Sequence, residues 1–204
     1  MQNTSHAVMA QRVESRDSLD DFPTPPWATR ALIEHILPNH ARAQTCWEPA
    51  CNRGYMARVL NEYFDSVVAT DIHDYGYGST ADYLTTRPSQ SIDWVITNPP
   101  FRLAESFALK ALNETQAGVA LLVRTSWIES VSRYHSIFKP HPPAIVAQFT
   151  ERVPMVKGRL DKTVSTATSY CWIVWLHKDP PTTTQLVWIP PSRKAFERHD
   201  DYSG

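Results

Sequence analysis

The sequence predicts an α/β fold: a mostly parallel sheet, helices on both of its faces, and an antiparallel hairpin late in the chain. Two observations predict it. Apolar runs of strand length alternate with segments whose apolar residues recur at helical spacing through most of the chain. The last two strand-like runs, PAIVAQF and TSYCWIVWLH, are joined by a long irregular stretch without a helical pattern, which suits antiparallel pairing.

The elements follow in order. In DFPTPPWATRALIEHILP, Pro25 and Pro26 can open a helix, because its first N–H groups have no partner anyway. Leu32, Ile33, Ile36 and Leu37 then share one face, and Pro38 ends it. AQTCWE reads as a strand ending at Glu48, and Asn52-Arg53-Gly54 as a turn. The next helix turns Met56, Val59, Leu60 and Phe64 inward. SVVATDI is a strand ending near Asp71, HDYGYGSTADYL a loop, and SIDWVITN a third strand. A helix follows with Leu103, Phe107, Leu109 and Leu112 as its apolar set. GVALLVR is the fourth strand, and SWIESVSRYHSIF reads as one more helix before the hairpin. Residues 1–20 are polar and read as a mobile segment, 21–178 as one domain, and 179–204 as a Pro/Thr-rich tail.

Lys and Arg number 20 against 21 Asp and Glu, so a nucleic-acid site here has to be a local patch rather than a basic coat. The three cysteines form no CxxC pair, which points to a reducing cytoplasm without a disulfide framework. No apolar run approaches the roughly 20 residues of a membrane helix, and the polar start lacks a signal-peptide core, so no membrane partner is expected. The histidines lack ligand spacing, so no metal site is expected.

In a parallel sheet, ligands bind outside the carboxyl ends of the strands. Three features fall there. Glu48 ends the first strand, and the turn after it has one glycine, Gly54, in place of a phosphate-cradling G-x-G-x-x-G. Asp71 ends the second strand, at about the 20-residue spacing that lets an acid accept from ribose hydroxyls. Asp82 could accept from an adenine amino group. Together the three acids suit a phosphate-free, positively charged adenosyl ligand such as S-adenosylmethionine.

The third strand ends in Asn98-Pro99-Pro100-Phe101. Asn98 offers an amide oxygen, and the prolines leave carbonyls without competing N–H groups. Phe101 offers a flat face. Two acceptors beside a stacking surface complement an amino group on an aromatic base. Accepting both N–H bonds favours a tetrahedral nitrogen whose lone pair can attack an electrophilic methyl. Cytosine C5 chemistry needs a thiolate, and no cysteine stands at this strand end.

These stretches resemble the amino-type (N6-adenine) DNA methyltransferases, with the strongest likeness to small phage and prophage members. The resemblance covers roughly residues 21–176. DFPTPPWATRAL resembles the segment that closes over the methionine moiety, WEPACNRGYMARVLNEYF the cofactor motif, VVATDIHDYGYG the ribose-binding strand, and DWVITNPPF the catalytic motif. It implies a Rossmann-like class I methyltransferase sheet and S-adenosyl-L-methionine held by Thr24, Pro25, Glu48, Ala50, Gly54, Asp71, Ile72, Asp82 and Tyr83. It also implies catalysis at Asn98, Pro99, Pro100 and Phe101, on adenine flipped out of DNA. Where the family usually has Cys-Gly-x-Gly, this chain has Cys51-Asn52-Arg53-Gly54. Asn tolerates left-handed backbone angles, so the turn is expected to survive.

Residues 151–167 are the candidate substrate-recognition loop. Arg152, Lys157, Arg159 and Lys162 there outnumber Glu151 and Asp161. Lys157 and Arg159, with Arg102 and Arg124 at strand ends, are the candidate phosphate contacts. The same motif also serves RNA adenine and protein glutamine methyltransferases, and a non-catalytic binding relative would keep the fold.

Overall fold

A computed structural model describes residues 20–38, 44–164, 166–178 and 182–202. The expected mobile segment lies almost wholly outside these residues, as do 179–181 and 203–204 of the expected tail.

The elements run α1 (Pro26–His35), β1 (Thr45–Glu48), α2 (Tyr55–Leu60), β2 (Ser66–Asp71), β3 (Ser79–Thr80), β4 (Ile92–Thr97), α3 (Ala104–Glu114), β5 (Thr115–Arg124), α4 (Val131–Arg133), β6 (Ile145–Phe149), β7 (Tyr170–Leu176), β8 (Gln185–Ile189) and α5 (Arg193–Phe196). The sheet order is β3-β2-β1-β4-β5-β7-β6-β8. Among the described strands only β7 runs against the rest. It slots between β5 and β6, pairing antiparallel with both.

Strand alternation sends side chains to two cores. On one face Trp94, Ile96, Ala120, Leu122, Trp172 and Val174 pack under α1 and α2. On the other, Trp47, Val95, Val119, Leu121, Ile173 and Trp175 pack under α3. Trp27, Trp47, Trp94 and Trp172 are the largest fully buried side chains. Each removes more apolar area from water than a leucine, whose full burial contributes about 1.5–3 kcal/mol.

Three elements depart from the sequence expectation. In α3 Phe107 is buried and Leu109 and Leu112 pack partly buried against the core as expected, but Leu103 is 41% exposed, and Ala104, Ala108 and Ala111 complete the buried stripe with Phe107. That stripe has helical i, i+3, i+4, i+7 spacing, and its alanines let the helix axis approach the sheet. The helix expected across SWIESVSRYHSIF is broken into a 3-10 turn (Thr125–Ile128), α4, and a wider π turn (Tyr134–Phe138). Ser130 causes the restart: its backbone is extended and its hydroxyl accepts from Arg133 N at 3.3 Å, an N-cap. Third, the segment expected as a tail supplies β8, which pairs parallel with β6, and α5. The hairpin therefore does not form the sheet edge.

Candidate active site

The chain runs outward from β1 to β2 and then returns to place β4 on the other side of β1. This reversal opens a crevice at the carboxyl ends of those strands. A cavity of about 630 Å³ lies there, within the usual size range for a small-molecule site. It is lined by Glu48 from β1, Asp71 from β2 and Asn98 from the end of β4. Thr24, Ala50, Ile72, Asp82, Tyr83, Pro99, Pro100, Phe101 and Arg102 also line it.

Glu48 is 2% exposed, and its Oε2 finds no hydrogen-bond donor among the described residues. Burial pushes its carboxyl well above the ordinary carboxylate value, and the nearby Asp71 adds to the shift. Asp71 anchors two backbone amides. Its Oδ2 accepts from Asn52 N at 2.9 Å and its Oδ1 from His73 N at 3.0 Å. Each oxygen keeps a lone pair for a ligand hydroxyl. Asp82 is committed locally, since its Oδ1 accepts from Leu84 N at 2.9 Å. Tyr83 lines the cavity while its ring packs between Trp47 and Phe107, and its buried hydroxyl has no partner among the described residues.

The turn after β1 keeps its shape despite its substituted glycine. Asn52 adopts a left-handed φ of 50°, a conformation Asn accepts more readily than most residues. Gly54 has φ 79°, and a Cβ there would meet the Tyr77 ring at 2.4 Å. So Gly54 is required by the turn and does not line the cavity. Cys51 does line it, yet burial, Glu48 and Asp71 push its thiol up to about 12, which leaves no thiolate nucleophile at neutral pH.

A strap, Asp20 to Thr24, crosses the mouth between the first turn and the Asn98 loop. Asn98 Nδ2 donates to Phe22 O at 3.0 Å. Because that carbonyl needs a donor, the amide orientation is fixed, and Asn98 Oδ1 is left buried without a partner among the described residues. The Asn98 amide also meets Met155 Sδ at 3.8 Å. Asp20 accepts from Phe101 N at 2.5 Å, and the Phe22 and Phe101 rings lie 5.4 Å apart. At the other end of the strap, Asp21 accepts from Asn52 Nδ2 at 2.7 Å and from Arg53 Nη1 at 2.9 Å. Gly158 N donates to Asp21 O at 2.8 Å. Pro100 O accepts from Leu103 N, closing the proline turn, while Pro99 O takes no donor among the described residues.

The remaining expected site residues lie apart from the cavity. Pro25 is the N-cap residue of α1, with its carbonyl accepting from Ala28 N. Arg124 places its guanidinium 4.1 Å over the Phe101 ring but lines a different cavity. Lys157 and Arg159 are exposed, and Arg159 pairs with Asp161. The recognition-loop expectation splits in two. Val153, Pro154 and Met155 are buried, Met155 beside the Asn98 amide, while Arg152 before them and Lys157, Gly158 and Arg159 after them are exposed. Asp20, Phe22, Asn52, Tyr55, Tyr75 and Met155 belong to the site and were not expected from sequence. Phe22 lies within the DFPTPP segment and Asp20 adjoins it, so that segment was the available signal.

No known protein-family profile matches the chain, and no curated protein matches it. Solved structures do resemble it. One is a candidate class I S-adenosylmethionine-dependent methyltransferase from Listeria monocytogenes, with TM-score 0.62 and 12% identity over 84% of this chain and 67% of that one. Another is a modification subunit of a candidate type I restriction enzyme from Vibrio vulnificus, with TM-score 0.60 and 13% identity over 85% of this chain. The chain spans 48% of that subunit's length. A third is a candidate RNA methyltransferase from Pyrococcus horikoshii, with TM-score 0.57 and 14% identity over 75% of this chain and 84% of that one. At these identities the likeness is one of fold, and the fold is the Rossmann-like sheet of class I methyltransferases.

Proposed function

We propose that this chain is an S-adenosylmethionine-dependent methyltransferase that acts on the N6 amine of adenine in DNA, flipped into the slot of Asn98, Pro99, Pro100 and Phe101. One observation carries the reading. Two buried side-chain oxygens, Glu48 Oε2 and Asn98 Oδ1, belong to residues lining one cavity, and neither has a donor among the described residues. Leaving such atoms unpaired costs about 1–3 kcal/mol each, which a ligand carrying a cation and N–H donors would recover.

The cavity residues fit the cofactor. Glu48 would face positive charge, and Asp71 would accept from ribose hydroxyls through its remaining lone pairs. Ile72, 57% exposed at the rim, would cover the adenine, and Thr24 on the strap the methionine end. When bound, this cofactor supplies an electrophilic methyl group. The chain's own residues do the rest. Asn98 Oδ1 and Pro99 O accept the two N–H bonds of the target amine, draw the nitrogen toward tetrahedral geometry and direct its lone pair into the cavity. Phe101 supports the base ring. The proline turn fixes these acceptors before the substrate arrives, so no reorganisation is needed as charge develops.

The likeness to a restriction-modification subunit supports DNA as the polymer, and the likeness to a candidate RNA methyltransferase makes RNA the competing outcome. The test is Asn98→Ala, assayed with a labelled methyl donor on duplex DNA. Transfer should fall by at least about 10²–10³ in kcat. Cofactor affinity should stay within about threefold, since Asn98 contacts the amine. Undiminished transfer in this variant would remove Asn98 from the mechanism.

A further inference from the structure

We infer that a second cavity beside the slot binds the phosphodiester adjoining the target adenine, an assignment that rests on the proposed reaction. This cavity, about 450 Å³, lies at the ends of β5 to β7 and is lined by Arg124, Thr125, Ser126, Gln148, Thr168 and Ser169. No acidic and no large apolar side chain lines it, so neither a cation nor an apolar group is its complement.

The donors left over in this cavity point to an anion. Gln148 is fully committed: its Oε1 accepts from Thr125 Oγ1, and its Nε2 donates to Phe149 O and Tyr170 O. Ser169 Oγ accepts from Arg152 Nη1 at 2.6 Å, so its own hydrogen remains to donate, polarised by that guanidinium. Ser126 and Thr168 add hydroxyls. Arg124 forms no ion pair among the described residues; its side chain meets the Tyr170 hydroxyl, which leaves most of its five N–H donors for a ligand. One guanidinium outside any ion pair among the described residues and three hydroxyl donors form a set suited to phosphate oxygens.

Arg124 also joins the cavity to the slot. Its guanidinium lies 4.1 Å over Phe101, the ring assigned to the base. A nucleotide carries base and phosphate on one sugar. A base at Phe101 therefore brings its phosphate within reach of the side chain already stacked there. Arg124 then leaves the ring face, grips the phosphate in the second cavity, and frees Phe101 for the base.

The experiment measures binding of adenine-containing duplex oligonucleotides by the full chain, with single neutral methylphosphonates placed in turn around the target. Wild-type protein should lose affinity roughly tenfold for one placement flanking the adenine. Arg124→Ala should bind the all-phosphate duplex roughly tenfold more weakly and be indifferent to that placement. Its logarithmic salt dependence should be shallower by about 0.9. Arg124→Lys should recover the salt slope, because it restores the charge, and both variants should keep the wild-type thermal midpoint. If the methylphosphonate still weakens Arg124→Ala, or no placement depends on Arg124, the subsite is overturned while methyl transfer by wild type stands. If folded wild-type protein neither binds nor methylates the duplex, the reaction itself is overturned and the subsite with it.

Discussion

Glu48 has the least ordinary environment in the site. Its carboxyl is buried beside a second acid and holds its proton well above the usual value near 4.5. The folded chain therefore keeps a proton that the unfolded chain has released. Stability of the unliganded protein should fall as pH rises from about 4.5 through the raised value. On the proposed function a cationic ligand would reverse the preference: Glu48 should ionise on binding and release a proton, so that affinity rises with pH over the same window. Calorimetry in buffers of different ionisation enthalpy would detect the released proton. Glu48→Gln should bind S-adenosylmethionine roughly 10- to 100-fold more weakly, with a flat pH profile. A wild-type affinity that does not rise with pH would sink this role. That Glu48, Asp71 and Asn98 line one cavity was legible in the sequence, because each stands at or just past the carboxyl end of a strand, and strand ends fix where side chains gather. The pairing of Asn98 with Phe22 was not legible, because a contact across that much chain depends on the finished packing.

At the scale of elements, the strap is held at both ends. Asp20 binds the proline loop, and Asp21 binds Asn52 and Arg53 in the first turn. The departure from the usual glycine turn thereby gains a physical account: Asn52 and Arg53 supply donors to a carboxylate that is only 8% exposed. Asn52→Gly keeps the left-handed turn and removes one donor, and Arg53→Ala removes the ion pair, which is partly screened at 37% exposure of the arginine side chain. The double variant should lose no more than about 1–2 kcal/mol of global stability. It should, however, show faster amide exchange in the strap and roughly three- to tenfold faster cofactor release. Unchanged exchange in the strap would contradict the latch. Of the helices, α1 was read nearly to its bounds because prolines mark both ends. In α3 the sequence marks Phe107, Leu109 and Leu112, which do pack on the core, but not Ala104, Ala108 and Ala111, because small side chains carry little apolar signal although they make the close contact. The break at Ser130 was missed because an N-cap residue inside an apolar pattern looks like a helical one.

The whole molecule is closed by its C-terminal segment. Arg30, 4% exposed in α1, donates to Glu62 through Nε and Nη2, to Asp201 through Nη1 and Nη2, and to Phe196 O. The guanidinium joins α1, the segment after α2, and the turn after α5. Arg30→Ala leaves the Asp201 side chain, 4% exposed, without its cation and should cost about 3–5 kcal/mol, read as a lowered chemical-denaturation midpoint. A loss below about 1 kcal/mol would show that the C-terminal segment is not held this way. The sheet and its late antiparallel pairing were legible from the alternation of patterns. β8 was not, because Gln185–Ile189 is short and lies beyond a Pro/Thr-rich stretch that reads as a tail.

In the proposed reaction a methyl group moves to the N6 amine of adenine in DNA, with Asn98 at the reacting nitrogen. Mass spectrometry decides this, on nucleosides digested from DNA and RNA and on peptides digested from protein, all recovered from a host expressing wild-type protein or Asn98→Ala. N6-methyldeoxyadenosine should rise above background with wild type and stay near background with the variant. Methylation confined to RNA or protein, or equal methylation by the variant, would contradict it.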